Sequence, residues 1–405
     1  MKPALLFLSH RIPYPPNKGD KIRSFHLLEY LARRHRVFLG TFVDDPADWS
    51  HVEMLDRWCV ARCVRPLSPA RARILSLRGL FDGRPLTLPY YADGGLKRWV
   101  REILEREKVR RILVYSSAMA QFVPEAYHAQ GRTVLDLVDV DSDKWRQYAA
   151  TRPWPLSWIY RRESKRLLAF ERDQARRFEA TLLVSPEEAD LFRRLAPESS
   201  ERIHALSNGV DVAWFDPEAK LNSPYGEPGS HLVFTGAMDY WPNVDAVIWF
   251  VEKVWPKVRA ARPRARFHIV GARPAEAVRA LAGREGVEVT GAVPDIRPWI
   301  RHADVVVAPM RIARGIQNKV LEAMALARPV VVTPMGAEGI DAEDGREWRV
   351  ADSANAFAEA VNALLGDTGR AEAMGRAARR RVLEGYAWEQ RLPLLDRWFP
   401  GEDGP

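Results

Sequence analysis

Cysteine is nearly missing from this 405-residue chain. There are two, Cys59 and Cys63. They lie four apart with no His or Cys cluster beside them, which argues against a disulfide scaffold or a zinc site and for free thiols in a reducing compartment. Long apolar runs are missing too. Ala4–Leu8 is only five residues long, too short for the core of a signal peptide and far below the roughly 20 residues that span a bilayer. No later run approaches that length, so a cytoplasmic protein is expected. Internal repeats, coiled-coil heptads and low-complexity tracts are absent. No base-reading module accompanies the positive charge, so a nucleic-acid role would rest on charge alone and is not expected.

What is present is the composition of a soluble globular protein, 47% hydrophobic and 28% charged. Lys and Arg number 61 against 53 acids, a net charge of +8. That excess suits anionic ligands such as nucleotide diphosphates, lipid phosphates or a membrane surface. The length exceeds one ordinary core, and two domains of about 200 residues each are the natural division. Lys220–Ser230 contains Pro224, Gly226, Pro228 and Gly229 and reads as a linker. Both halves alternate short apolar runs with helical periods, the pattern of doubly wound α/β domains.

The most informative stretch runs from Val305 to Gly339. Val305–Ala308 reads as a strand buried on both faces. Arg311 and Arg314 follow in a loop that ends at Gly315, Ile316 and Gln317. Asn318 is a candidate N-cap for a helix that carries Lys319 and, at i+3, Glu322. Arg328–Pro329 ends the helix, Val330–Thr333 is a strand, and Thr333–Gly336 a loop. A helix start at the carboxyl end of a parallel strand gathers unpaired amides and positive dipole, which suits a diphosphate. Lys319 adds charge there, and a carboxylate at Glu322 can accept both hydroxyls of a ribose. The bland alternative is a surface ion pair on an ordinary crossover helix.

Other stretches carry weaker signals. Gly19, Asp20 and Lys21 open a helix after the first strand, Ala4–Ser9, and make a candidate phosphate or acceptor loop. Asp139 ends the strand Thr133–Asp139, at the edge where doubly wound sheets place ligands; it can accept a hydrogen bond from a ligand hydroxyl or merely cap a turn. Leu67–Tyr91 is a basic, amphipathic connection broken by proline and glycine, either a membrane-surface contact or a helix lying on the sheet. Residues 152–177 hold eight cations against three acids, with Trp154, Trp158 and Tyr160 at the start. That mixture suits an anionic bilayer interface or a solvated helix with a buried aromatic end. Ala118–Gln130 and Asn243–Arg262 are expected as unbroken helices.

The run RGIQNKVLEAMALARPVVVTPMGAEGI resembles the donor-site signature of family 4 glycosyltransferases, the retaining enzymes of the GT-B fold. Their usual pattern is Glu-Gly-Phe-Gly followed by a second Glu eight positions after the first. Glu322 matches the second, and Arg314 stands where the first would be. HLVFTGAMDYWPNVD from His231, ERIHALSNGVDVAWFDP ending at Pro217, and RIPYPPNKGDKIRSFHLLEYLARRHRVFLGTF at the front resemble further pieces of that family. With DLVDVDSDKW from Asp136, the chain looks closest to the sugar transferases associated with exosortase/PEP-CTERM exopolysaccharide clusters.

The resemblance implies two doubly wound Rossmann-like domains facing across a cleft. Residues 1–208 would form the acceptor side, 209–385 the donor side, and 386–405 a terminal helix crossing back, with Tyr386–Phe399 as its body. It implies transfer of a sugar from a nucleotide sugar to a glycan or polyprenyl-diphosphate-linked acceptor, with peripheral contact to the inner membrane face through 152–177. No metal or other cofactor is expected, since cationic side chains and a helix dipole would carry the charge of the leaving diphosphate. Lys319, Arg311 and Asp139 would serve catalysis. Glu322, Arg314, Gly315, Ile316, Gln317, Asn318 and Gly236 would hold the donor. The Gly236 turn departs from the family, because GAMDYWPN has no cation where Arg and Lys usually stand. Arg314 reverses the usual charge and offers a planar fork for a carboxylate or phosphate, hence an acidic donor sugar or an extra diphosphate contact. A nucleotide-sugar epimerase or a non-catalytic nucleotide-sugar-binding member are the competing readings.

Overall fold

The computed structural model describes residues 2–16, 19–226, 229–313 and 315–401. The chain divides into two compact units. The first is Met1–Ser207 with the returning segment Leu392–Pro405; the second is Asn208–Arg391.

The first unit is built on seven strands: β1 (Ala4–Ser9), β2 (Arg36–Val43), β3 (Cys59–Pro66), β4 (Arg111–Tyr115), β5 (Arg132–Val138), β6 (Ala180–Leu183) and β7 (Ile203–Ala205). All pair in parallel, in the order β3-β2-β1-β4-β5-β6-β7. Leu5–Leu8 and Ile112–Val114 are fully buried, as expected where helices cover both faces of a parallel sheet. The order reverses between β1 and β4, and ligands of such sheets bind outside the carboxyl ends of the strands at that reversal.

The second unit repeats the plan with β8 (His231–Thr235), β9 (Arg266–Val270), β10 (Val287–Gly291), β11 (Val305–Ala308), β12 (Val330–Val332) and β13 (Arg349–Val350), in the order β10-β9-β8-β11-β12-β13. Its reversal lies between β8 and β11. One apolar cluster packs around Phe234, Phe250, Phe267 and Phe357, and another around Val306, Val320, Leu321 and Val330. The short β13 escapes prediction because two residues carry no period.

Several expected elements are broken. Leu67–Tyr91 is broken as its prolines and glycines imply, into three short helices, Pro69–Ser76, Gly79–Asp82 and Thr87–Tyr90, interrupted at Gly83 (φ 75°) and Pro85. Ala118–Gln130 splits at Pro124 into a 3-10 turn and the helix Ala126–Gln130, since proline removes a helical donor and clashes with the turn before it. From Trp241 to Ala261 the backbone is helical throughout but passes through a π turn at Phe250–Val254. Thr333–Gly336 is not a loop: Thr333 caps the helical turn Pro334–Ala337 by accepting from the Gly336 amide. The terminal segment is the helix Trp388–Arg391 followed by a 3-10 turn, Leu392–Arg397, rather than one helix. Pro393 sits at the change.

Candidate functional site

In the second unit the chemistry gathers at the β8/β11 reversal. The strand β8 is followed by a turn at Gly236, and the neighbouring β9 by one at Gly271. These turns lie so close that a Cβ on Gly271 would stand 1.6 Å from the Gly236 carbonyl oxygen. Asn243, in the first turn of the helix Trp241–Trp249, donates through Nδ2 to the Ala237 carbonyl at 2.9 Å. Its Oδ1 accepts from Lys319 Nζ at 2.5 Å. Lys319 thus reaches from the helix after β11 across to the loop after β8. Its ammonium also lies 4.6 Å from the centre of the buried Phe234 ring, a cation–π contact.

The helix that carries Lys319 is Asn318–Ala325. Gln317, not Asn318, occupies the N-cap, and its carbonyl accepts from the Val320 amide at 2.9 Å. Asn318 is therefore the first helical residue; its Oδ1 is buried without a hydrogen-bond partner among the described residues. Gly315 has φ 62°, a conformation open to glycine at little cost. Ile316 packs over Gly339. The first amides of this helix have no intrahelical acceptor and point out of its amino end.

Lys319 and Glu322 are half-buried, one turn apart, with strongly displaced proton affinities. Burial lowers the Lys319 ammonium to about 8, against the opposing pull of Glu322. Burial raises the Glu322 carboxyl to about 7, against the opposing pull of Lys319. Among the described residues the Glu322 carboxylate accepts no hydrogen bond. Such a pair is costly for folding, and displaced proton affinities of this kind cluster at functional sites.

Arg311 behaves differently from its assigned role. It is exposed, and its guanidinium makes a bidentate pair with Asp245, with Nε to Oδ2 at 2.9 Å. Asp245 cancels its charge, which leaves Lys319 as the cation at the helix amino end among the described residues. Arg314 lies outside the described residues. Asn243 and Asp245 were legible only as parts of a segment lacking cations; that lack was the signal that a neutral side chain positions Lys319.

In the first unit a second constellation surrounds the β1/β4 reversal. His10, immediately after β1, stacks on Tyr115 of β4 with ring centres 5.6 Å apart. Asp20 lies 3.6 Å from His10 Nε2 and pairs with Arg11, which also holds Asp44 at 2.6 Å. Burial opposes ionisation of Asp20, but the His10 hydrogen bond and the Arg11 charge outweigh it, and its carboxyl sits well below the usual range. An ionised carboxylate at this helix start does not suit a phosphate. Lys21 is a clear correction. It is fully buried and donates to Asp48 at 2.7 Å, so its charge serves the fold and not a ligand. Gly19 begins the helix Gly19–Ala32, exposed, with nothing within 4 Å of where a Cβ would stand.

Asp139 accepts from Lys144 Nζ at 2.7 Å, and Lys144 reaches Asp141 at 3.2 Å. These groups, with His10, Asp20 and Tyr115, line a cavity of about 530 Å³. Two non-glycine residues on its wall hold left-handed φ, Ser116 at 81° and Val138 at 69°. For a β-branched residue that is a genuine outlier, costing on the order of 1–3 kcal/mol. The Val138 amide donates to Asp136 at 3.1 Å, and Asp136 is gripped by buried Arg23 at 2.8 Å. A buried ion pair therefore holds the turn that delivers Asp139 to the cavity.

The part of the second unit that carries this site is similar to known proteins. Residues 229–367 match the family model of the group 1 glycosyl transferases. A D-inositol 3-phosphate glycosyltransferase of Arthrobacter sp. (strain FB24) is 28% identical over 236 residues, 53% of this chain and 52% of that one. The lipopolysaccharide core biosynthesis mannosyltransferase LpcC of Rhizobium leguminosarum bv. viciae is 28% identical over 204 residues, 47% and 57% of the two chains. The chain spans about half the length of the curated relatives it matches. Over the whole chain, Anabaena HepE, solved with UDP and glucose, superposes with a TM-score of 0.65 at 16% identity, covering 97% of this chain and 98% of HepE. The fold is that of the GT-B glycosyltransferases, two Rossmann-like units with parallel sheets.

Proposed function

We propose that this protein is a retaining glycosyltransferase that moves a sugar from a nucleotide sugar to a glycan or lipid-linked acceptor in exopolysaccharide biosynthesis. The observation that carries the reading is the Lys319–Asn243 bridge across the β8/β11 reversal, within the residues that match the group 1 glycosyl transferases. A leaving nucleoside diphosphate gains charge as the glycosidic bond breaks. Lys319 and the free amides at the start of Asn318–Ala325 receive that charge, and Glu322 accepts the ribose hydroxyls. Retention of configuration, a place beside the exosortase/PEP-CTERM-associated transferases, and a cytoplasmic enzyme peripheral to the inner membrane face belong to the same proposal. In it Asp139 engages the donor sugar or the acceptor hydroxyl. Arg314 reads an acidic sugar or adds a diphosphate contact. No metal is required, because the ammonium and the helix amides carry the charge.

The Gly236 turn, which has no cation, and the Arg311–Asp245 pair favour one rival, a member that binds nucleotide sugar without transferring it. Thermal-shift screening against nucleoside diphosphates and nucleotide sugars, followed by donor-hydrolysis and transfer assays, separates the two. Stabilisation by a nucleotide with turnover is the expected result. Glu322→Gln should weaken nucleotide binding by roughly 10- to 100-fold, the worth of a charged hydrogen bond. Binding without turnover supports the rival; no stabilisation by any nucleotide sinks both.

A further inference from the structure

The basic stretch 152–177 does not act as one surface. In the helix Leu156–Arg177, Glu163, Leu167, Glu171 and Ala175 are buried. Arg172 pairs with Glu198, and Arg176 and Arg177 pair with Asp173. Arg152 and, in the amino-terminal half of the helix, Arg161, Lys165 and Arg166 make no ion pair among the described residues. That half is joined to the three short helices of 69–90. Arg162 donates to the Gly79 carbonyl, and Glu163 accepts from the Leu86 and Thr87 amides at 2.6 and 3.0 Å.

The two joined segments concentrate exposed apolar side chains. Phe81 is 92% exposed, Trp154 81%, Ile74 70% and Trp158 56%. Of the fifteen large hydrophobics exposed among the described residues, seven lie between Ile74 and Phe81 or between Tyr148 and Trp158. Arg71, Arg73, Arg78, Arg152 and Arg161 stand on the same segments, and none pairs with a carboxylate among the described residues. The 530 Å³ cavity is lined from this side by Arg73, Ser76, Tyr148, Ile159 and Tyr160. Aromatic and aliphatic tips among unpaired arginines are the chemistry of an anionic bilayer interface.

We propose that this composite surface docks the first unit on an anionic bilayer, and that the cavity beside it receives the apolar tail of an acceptor resident in that bilayer. The occupant is a lipid surface because cations without a carboxylate partner among the described residues share these segments with the exposed apolar tips. The identity of the tail's bearer as an acceptor rests on the transferase reading above; the docking does not.

The test is co-sedimentation of the full chain with vesicles of phosphatidylcholine alone or of phosphatidylcholine and phosphatidylglycerol in equal parts. Binding should require phosphatidylglycerol and weaken at least about tenfold in roughly 0.5 M salt. Phe81→Ser/Trp154→Ser should lose at least about tenfold in bound fraction. Trp49→Ser, at an exposed tryptophan outside the surface, should bind like wild type. Farnesyl phosphate should raise the melting temperature more than inorganic phosphate does, and Ile159→Asp should remove the difference. The chain remaining in the supernatant, Phe81→Ser/Trp154→Ser binding normally, or a dimer that the same variant dissolves in place of vesicle binding would each overturn the docking. Equal effects of farnesyl phosphate and phosphate would overturn the tail site. Nucleotide stabilisation measured on the same samples reports the second unit independently, so failure here and failure of the transferase reading are told apart.

Discussion

At the scale of single residues, the informative pair is Lys319 and Glu322. Their displaced proton affinities fix a sign. The Lys319 cation exists in the unliganded protein below about pH 8 and is lost above it. The Glu322 carboxylate exists above about pH 7 and is lost below it. A site needing both charges works best between those values, and the two steps belong to the pair. Nucleotide affinity should therefore follow a narrow bell. It rises through about 7 as Glu322 ionises and falls through about 8 as Lys319 loses its proton. The terminal phosphate of the ligand titrates near 6, below that window. Lys319→Ala should remove the falling limb and lower affinity at neutral pH by roughly 10- to 100-fold, about 1.5–3 kcal/mol. Calorimetric titration across the range measures it. A flat profile in the wild type, or an unchanged falling limb in Lys319→Ala, would contradict the assignment.

At the scale of elements, the close approach of the loops after β8 and β9 sets the site. Gly271→Ala would put a Cβ 1.6 Å from a backbone oxygen of Gly236, and backbone cannot step aside as a side chain can. The variant should cost the second unit about 3 kcal/mol and weaken nucleotide stabilisation, because the Gly236 turn also presents Asn243 to Lys319. Gly19→Ala, with open space around it, should change stability by less than about 0.5 kcal/mol. Thermal melts of the two variants with and without nucleotide test the contrast. Elements of this kind were legible where burial on both faces leaves a run of valines or leucines. Ala4–Ser9 and Val305–Ala308 have the expected bounds. The helix Asn318–Ala325 was legible to within its cap. What sequence could not give is which charged side chain turns inward. Lys21 and Arg23 sit on an apparently solvated helix start, yet Asp48 and Asp136 draw both into the core. Asn243 and Lys319 are 76 residues apart, and no local period announces such a contact. The breaks in 67–91 were legible from its prolines and glycines, whereas in 118–130 helical period alone pointed through Pro124.

At the scale of the whole molecule, the chain leaves the first unit after Ser207 and returns to it from Leu392. The first unit is therefore completed only by its last residues. Leu395 and Phe399 are fully buried there. The Trp398 ring lies 5.2 Å from that of His204, and Phe399 packs edge-on to His35. Tyr30 donates to Asp396 at 2.9 Å, and Arg34 pairs with the same carboxylate. Emptying the Phe399 socket removes a large apolar side chain and leaves a cavity, a loss of about 3–5 kcal/mol. Asp396→Ala breaks a partly exposed pair and should cost only about 0.5–1 kcal/mol. If the returning segment belongs energetically to the first unit, Phe399→Ala should lower amide-exchange protection in β1 and β2 while β11 and β12 keep theirs. Equal loss in both units would mean that they unfold as one body; loss confined to the second would mean that the segment's energetic partner is misassigned.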